Sequence, residues 1–188
     1  MDEADWIDRV LQGDAAAFEN LVDRYQARLV AFLWNLLGSG DDARDAAQDA
    51  FVHAYTRLGQ FDRSRGFKSW LFAIAYNRGI DLLRRRRRFR HFWLRQAAGE
   101  ERPATAVRAI EESPLWRPVL RKVTPQERSV LALKYNEDWD ALEIAAILGC
   151  SESTVRVHLL NARRKLKKEL QAAGFASMVK SASAGEVP

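Results

Sequence analysis

The chain has 188 residues, 47% of them hydrophobic, enough for one medium or two small packed cores and too apolar for a globally disordered protein. A single cysteine, Cys150, excludes an internal disulfide or a thiolate zinc cluster and fits a reducing compartment. The net charge is +5, but residues 1–62 carry 5 basic and 12 acidic side chains whereas residues 63–95 carry 11 and 1. Such a field steers nucleic acid to one segment and leaves the acidic one to another kind of partner.

The acidic opening Met1-Asp2-Glu3-Ala4-Asp5 is the opposite of a secretory or transit peptide. The best apolar stretch, Leu29 to Leu37, is too short to span a bilayer and carries Asn35. A cytoplasmic protein with no direct membrane insertion is expected. Asp14 is placed to cap a long amphipathic helix with Phe18, Leu21, Val22, Tyr25, Leu29, Phe32 and Leu36 on its apolar stripe. Gly38-Ser39-Gly40 stops it. A second helix starts near Asp41, with Ala47, Phe51, Ala54 and Leu58 facing inward and Gly59 as its C-cap. Residues 61–66 form a loop, and a third helix runs from about Phe67 into the arginine run. Gly99, Pro103, Ser113-Pro114 and Pro118 mark a linker, and the tail from Ala173 is small, polar and expected to be disordered.

The third helix interleaves aromatics and cations. Phe67, Lys68, Trp70, Phe72 and Tyr76 precede Arg84 to Arg88 and Arg90. Asn77, Asp81, Arg84 and Arg88 share a face at spacings of four, three and four. Aromatics beside cations suit single-stranded or opened DNA, where bases stack while phosphates are neutralised. Trp70 and Ile74 also suit a core, and Asp81 with Arg85 a plain i,i+4 ion pair.

Residues 118–172 form a second module. Thr124-Pro125-Gln126-Glu127 and Asp140-Ala141-Leu142-Glu143 both have capping-box spacing. A short helix from Ala141 to Leu148, a turn at Gly149 and a longer basic helix begun by Ser151 make a helix-turn-helix. Ile144, Ala145 and Leu148 face inward from the first of these helices, and Val155, Leu159, Ala162 and Leu166 from the second. Outward lie Ser153, Thr154, Arg156, Val157, His158 and Asn161, groups able to meet base edges. Arg163, Arg164, Lys165, Lys167 and Lys168 follow and suit the phosphate backbone. A helical hairpin with a solvated basic end would share the glycine turn but not the whole set of features.

Together these blocks resemble bacterial RNA polymerase sigma factors of the extracytoplasmic-function (ECF) type in the sigma-70 family. Asp41 to Phe51 looks like the polymerase-binding helix. Phe67 to Asp81, followed by arginines, is similar to the helix that melts and reads the minus-ten promoter element. Leu142 to Lys168 looks like the module that reads the minus-thirty-five element. The resemblance implies an all-α protein of two helical domains on a flexible tether: region 2 over 1–95, a linker over 96–117, region 4 over 118–172 and a disordered tail over 173–188. It implies polymerase docking through Asp45, Gln48, Asp49, Phe51 and Tyr55. Contact with the minus-ten element is implied for Phe61, Arg63, Arg65, Lys68, Trp70, Asn77, Arg78, Asp81, Arg84, Arg85 and Arg88, with the 61–66 loop capturing a flipped base. Contact with the minus-thirty-five element falls to the outward residues of the last helix, through Lys165. Core RNA polymerase and promoter DNA are the implied partners, and the apolar face of the first helix is available to an inhibitory anti-sigma factor. No cofactor or metal is expected. Where the family usually has larger apolar residues beside Gln48, this chain has Ala46-Ala47, and His158 and Asn161 stand where relatives often carry basic residues.

Two other classes share part of the pattern. A helix-turn-helix regulator acting without polymerase would have no use for Asp41 to Phe51. A metal-dependent nuclease would need convergent carboxylates and histidines, but His53, His91 and His158 are far apart in sequence.

Overall fold

The computed structural model of the chain describes residues 2–96 and 122–172, without the side chains of 90–96, and every element of regular structure in it is helical. The chain divides into two compact units. The first is built on α1 (Glu3–Leu11), α2 (Ala17–Leu37), α3 (Gly40–Thr56) and α4 (Phe67–Gln96), with short 3₁₀ turns at Leu58–Gln60 and Arg63–Arg65. The second is built on α5 (Pro125–Asn136), α6 (Ala141–Leu148) and α7 (Glu152–Ala172).

Helix α2 is the spine of the first unit, and α1, α3 and α4 all pack on it. Leu21, Leu29, Leu33 and Leu36 are wholly buried, and Tyr25, Phe32 and Leu37 nearly so. Helix α3 comes close because it presents alanines: Ala43, Ala46, Ala47, Ala50 and Ala54 are all buried. Helix α4 comes close at Gly79, where a Cβ would lie 2.4 Å from Leu36 Cδ2 and 3.3 Å from Leu33 Cδ2. Nearby, Phe72 meets Phe32 with ring centroids 5.4 Å apart.

Several boundaries differ from the sequence reading. Helix α1 was not anticipated; it is short, but Asp2 and Asp5 close a capping box at its start. Tyr25 donates to Glu3 and the Arg24 guanidinium lies 5.8 Å from the Trp6 ring centre, which ties α1 to α2. Asp14 does not occupy the N-cap of α2. It begins a turn, accepting from the Ala17 N–H at 3.3 Å, and the cap position falls to Ala16. Gly38 ends α2 in the left-handed conformation (φ 68°), and Ser39 caps α3. Gly59 is not the α3 C-cap; Arg57 is, and Gly59 sits inside the following 3₁₀ turn. Helix α4 continues through the whole arginine run. The linker expected over 96–117 lies, apart from Gln96, outside the described residues, as does the tail over 173–188.

In the second unit both capping boxes form. Thr124 and Glu127 exchange bonds with each other's backbone N–H at 2.8 and 3.3 Å, and Asp140 and Glu143 do so at 2.8 Å each. Gly149 turns the chain at φ 64°, and the Thr154 N–H donates to Ser151 Oγ at 3.2 Å to start α7. Val130, Leu133, Ile144 and Val155 form the centre of the core. Ile147 and Trp139 are also buried, whereas Leu148, Leu159 and Leu166, expected inward, are only half-buried.

Gly79→Ala tests the close approach of α4 to α2. Alanine is the better helix former by about 1 kcal/mol, but its methyl would collide with a buried leucine, and overpacking costs about 1–3 kcal/mol. A net loss of about 1 kcal/mol is expected, measured as a lowered midpoint of thermal unfolding.

Candidate nucleic-acid interface

The loop between α3 and α4 is held at both ends. Phe61 lies against Trp70 and Phe67, with ring centroids at 5.0 and 5.8 Å, and Phe67 is itself buried. Asp62 accepts from the Ser64 N–H at 3.0 Å, and Gly66 turns into α4 at φ 67°. Arg63 reaches back to form an ion pair with Asp8 of α1. The Arg63 hydrogen bond holds the Asp8 carboxyl below the ordinary carboxylate range. Arg65 is exposed and lies 3.7 Å from Asp62.

Behind this loop, α3 and α4 enclose a polar groove of about 430 Å³. Trp70, Asn77, Arg78 and Asp81, all expected at the DNA site, line it together with Ile74. Trp70 and Ile74 are half-buried, so neither belongs to the closed core. The opposite wall is His53, Arg57 and Gln60, which the sequence reading did not include. Arg78 Nη2 donates to His53 Nδ1 at 2.8 Å. Burial, with Arg57 and Arg78 nearby, holds the His53 imidazole below its ordinary value. Asp81 pairs with Arg84 at 3.3 Å, in place of the i,i+4 partner Arg85. Beyond the groove Arg84, Arg85, Arg87 and Arg88 are exposed, while Arg86 turns back to pair with Asp42 of α3. Lys68 is half-buried beside the loop.

A second, apolar groove of about 540 Å³ lies between α2 and α3. Gln48, Phe51 and Tyr55 line it with Phe18, Val22, Val30, Ala47 and Val52. Phe51 is buried and serves mainly as its floor, 6.4 Å from Phe18 between ring centroids. Tyr55 and Val52 are 43% and 58% exposed, so they are the apolar groups at its surface. Ala47 has too short a side chain to fill the groove. Asp45 and Asp49 are exposed on the same helix but do not line it. Val52 was missed because it lies off the core-facing stripe, where a lone surface valine carries no signal.

On α7, Ser153, Arg156, Val157, Arg163 and Arg164 are exposed, and Thr154, His158 and Asn161 are half-buried. Arg156 pairs with Glu152 on its own helix at 2.5 Å. Two of the expected phosphate-binding cations instead tie α7 to α5. Arg163 donates to the Tyr135 hydroxyl at 2.6 and 2.9 Å. Lys165 lies 2.8 Å from both carboxylate oxygens of Glu127, whose side chain is only 5% exposed. Burial would raise the Glu127 pKa; the bonds from Lys165 and Thr124 outweigh it and hold the carboxyl below its ordinary 4.5. Among the described residues, no three His, Cys, Asp or Glu side chains gather where a metal ion could sit, and no helix is long and apolar enough to cross a membrane.

Residues 21–89 match the Sigma-70 region 2 family and residues 118–166 match the Sigma-70, region 4 family. The chain is 31% identical to the ECF RNA polymerase sigma factor SigW of Bacillus subtilis (strain 168), over 88% of this chain and 95% of SigW. This protein belongs to the ECF sigma factors of the sigma-70 family. The RNA polymerase sigma-H factor of Pseudomonas aeruginosa is 29% identical over 88% of this sigma factor and 92% of its own length. Among solved structures, CnrH in complex with the cytosolic domain of CnrY aligns at TM-score 0.64 and 30% identity, covering 89% of this chain and 96% of that one. The sigma factor RpoE of Bartonella quintana, solved with the anti-sigma factor NepR, shares the fold at TM-score 0.69 and 23% identity, over 82% and 96% of the two chains. As a sigma factor, the protein binds core RNA polymerase and promoter DNA and directs transcription initiation. A regulator working without polymerase would leave the region 2 match unused.

The Glu127–Lys165 pair makes a pH-dependent prediction. Lys165→Met strands a buried carboxylate and is expected to cost about 1–3 kcal/mol. In the native protein the folded carboxyl titrates below its unfolded value, so the stabilisation is complete above pH 4.5 and is lost as pH falls through the folded value. Unfolding midpoints followed through acid should show that loss in the native chain and much less of it in the variant.

Proposed function

We propose that the two grooves of the first unit divide the work of initiation. The apolar groove between α2 and α3, with Gln48, Val52 and Tyr55 at its mouth and Asp45 and Asp49 beside it, docks the core polymerase. The polar groove and its loop take the melted minus-ten strand: Phe61, Trp70, Asn77 and Asp81 receive bases, and Arg63, Arg65, Lys68, Arg78, Arg84, Arg85 and Arg88 neutralise phosphates. The observation that carries this reading is the separation itself: within one unit, one groove is apolar and lined from α2 and α3, and the other is polar and lined by Trp70, Asn77, Arg78 and Asp81 of α4 facing His53 and Arg57. A flipped base costs a few kcal/mol of unstacking, which the Phe61–Trp70 ring cluster and nearby cations offset.

In the second unit Ser153, Thr154, Arg156, Val157, His158 and Asn161 face the minus-thirty-five bases, and Arg164 the backbone, while Arg163 is held by the Tyr135 hydroxyl. Lys165 holds α7 to α5. With the modules at 1–95 and 118–172 tethered through 96–117, either can bind weakly alone, because the second contact becomes effectively intramolecular. The sigma factor works in the cytoplasm and without catalytic chemistry of its own, the polymerase supplying the reaction. An anti-sigma factor competing for the apolar groove would block polymerase docking.

Run-off transcription with core polymerase and a library of genomic fragments tests the whole reading. Start sites that require the protein support it; folded protein that neither binds core polymerase nor directs initiation refutes it. The docking surface has its own test. Val52→Asp lies on the exposed surface, so stability should change by less than about 0.5 kcal/mol. Affinity for core polymerase, measured by titration, should fall about tenfold or more.

A further inference from the structure

The wall of the polar groove supplied by α3 has no part in the division of labour above. Its residues nevertheless face the α4 residues assigned to the melted strand. His53 and Arg57 are one helical turn apart, at the C-terminal end of α3, where the Arg57 N–H closes the helix on His53 O at 3.2 Å. They flank the groove on the side opposite Arg78. Two guanidiniums therefore border one cleft with an aromatic wall. The carboxylate in the lining, Asp81, is engaged by Arg84 at 3.3 Å.

We infer that Arg57 and Arg78 form a two-sided phosphate clamp on the melted DNA strand, with His53 as the residue that positions Arg78. The clamp rests on the reading that the α4 face takes that strand. Arg78 has many rotamers, and leaving them free would cost binding entropy. The 2.8 Å bond from Arg78 Nη2 to His53 Nδ1 fixes one of them across the groove. An imidazole accepts that bond only when neutral, and the half-buried setting beside two cations favours the neutral ring. His53 therefore adds orientation rather than charge. Arg57, exposed at a helix end, supplies the second cation, and Trp70, half-buried in the same lining, adds an aromatic group beside the strand.

Holoenzyme, made from core polymerase and the full chain, should be titrated with a pre-opened bubble duplex carrying a start site found by run-off transcription. The readout is the slope of log affinity against log salt. Each phosphate contact to a single strand contributes about 0.7 to that slope. Arg57→Gln should make it shallower by about 0.7. His53→Leu should do the same, with no further loss when combined with Arg78→Gln, because both act on one contact. His53→Asn keeps an acceptor near the Nδ1 position and should retain most of the native slope. An unchanged slope for Arg57→Gln overturns the clamp, and that exposed position decides the matter even where His53→Leu fails to fold. A His53→Leu chain that is less stable but keeps the native slope shows a merely structural tie between α3 and α4 and overturns the positioning role. Failure of the native holoenzyme to bind the bubble at all would sink the underlying strand-binding reading, a result distinct from a variant matching the native protein.

Discussion

The first unit depends on one constraint: α2 must bury its apolar surface against three helices at once. Leucines at 21, 29, 33 and 36 leave no accessible area, and burying a side chain of that size contributes about 1.5–3 kcal/mol. That requirement sets the separations. The alanines of α3 and Gly79 of α4 let both helices lie against the spine. Their outer faces then border two grooves, one apolar and one polar, whose linings are set by which side of α3 each residue occupies. Gln48, Val52 and Tyr55 fall on one side; His53 and Arg57 fall on the other.

The second unit works on a smaller scale and relies more on polar ties. Glu127 completes the capping box of α5 and also receives Lys165 of α7, so one buried carboxylate both starts a helix and anchors the reading helix. Tyr135 does a related job for Arg163 through its hydroxyl and its ring, which lies 5.8 Å from the guanidinium carbon. Part of the basic charge of α7 is thereby spent on packing. Arg156, exposed near its start beside Glu152, and Arg164 keep their charge at the surface.

Much of this organisation was legible from local patterns. The stripe of α2, the capping boxes at Thr124 and Asp140, the Gly149 turn and the aromatic-basic character of α4 all depend on residues near each other in sequence, where period and cap chemistry act. What was not legible came from contacts across the fold. His53 and Arg57 look like ordinary polar residues of α3 until α4 is laid beside them. Lys165 belongs to a basic run by sequence, and only the buried Glu127, 38 positions away, shows that it is engaged. Helix α1 is short and its apolar residues few, so periodicity is weak there; the ties to Tyr25 and Arg63 hold it in place. The Asp14 and Gly59 caps went astray by a few residues because short turns intervene at both helix ends.

If polymerase docking and strand capture occupy opposite sides of one small helical unit, either can be weakened without the other. The most direct measurement takes the triple variant Arg84→Gln, Arg85→Gln, Arg88→Gln, all at exposed positions, and determines its affinity for core polymerase and the affinity of its holoenzyme for a bubble duplex at the same salt. Unchanged polymerase affinity, with DNA affinity lowered at least tenfold, is the expected result of that separation. A loss of polymerase affinity with DNA binding intact would contradict it.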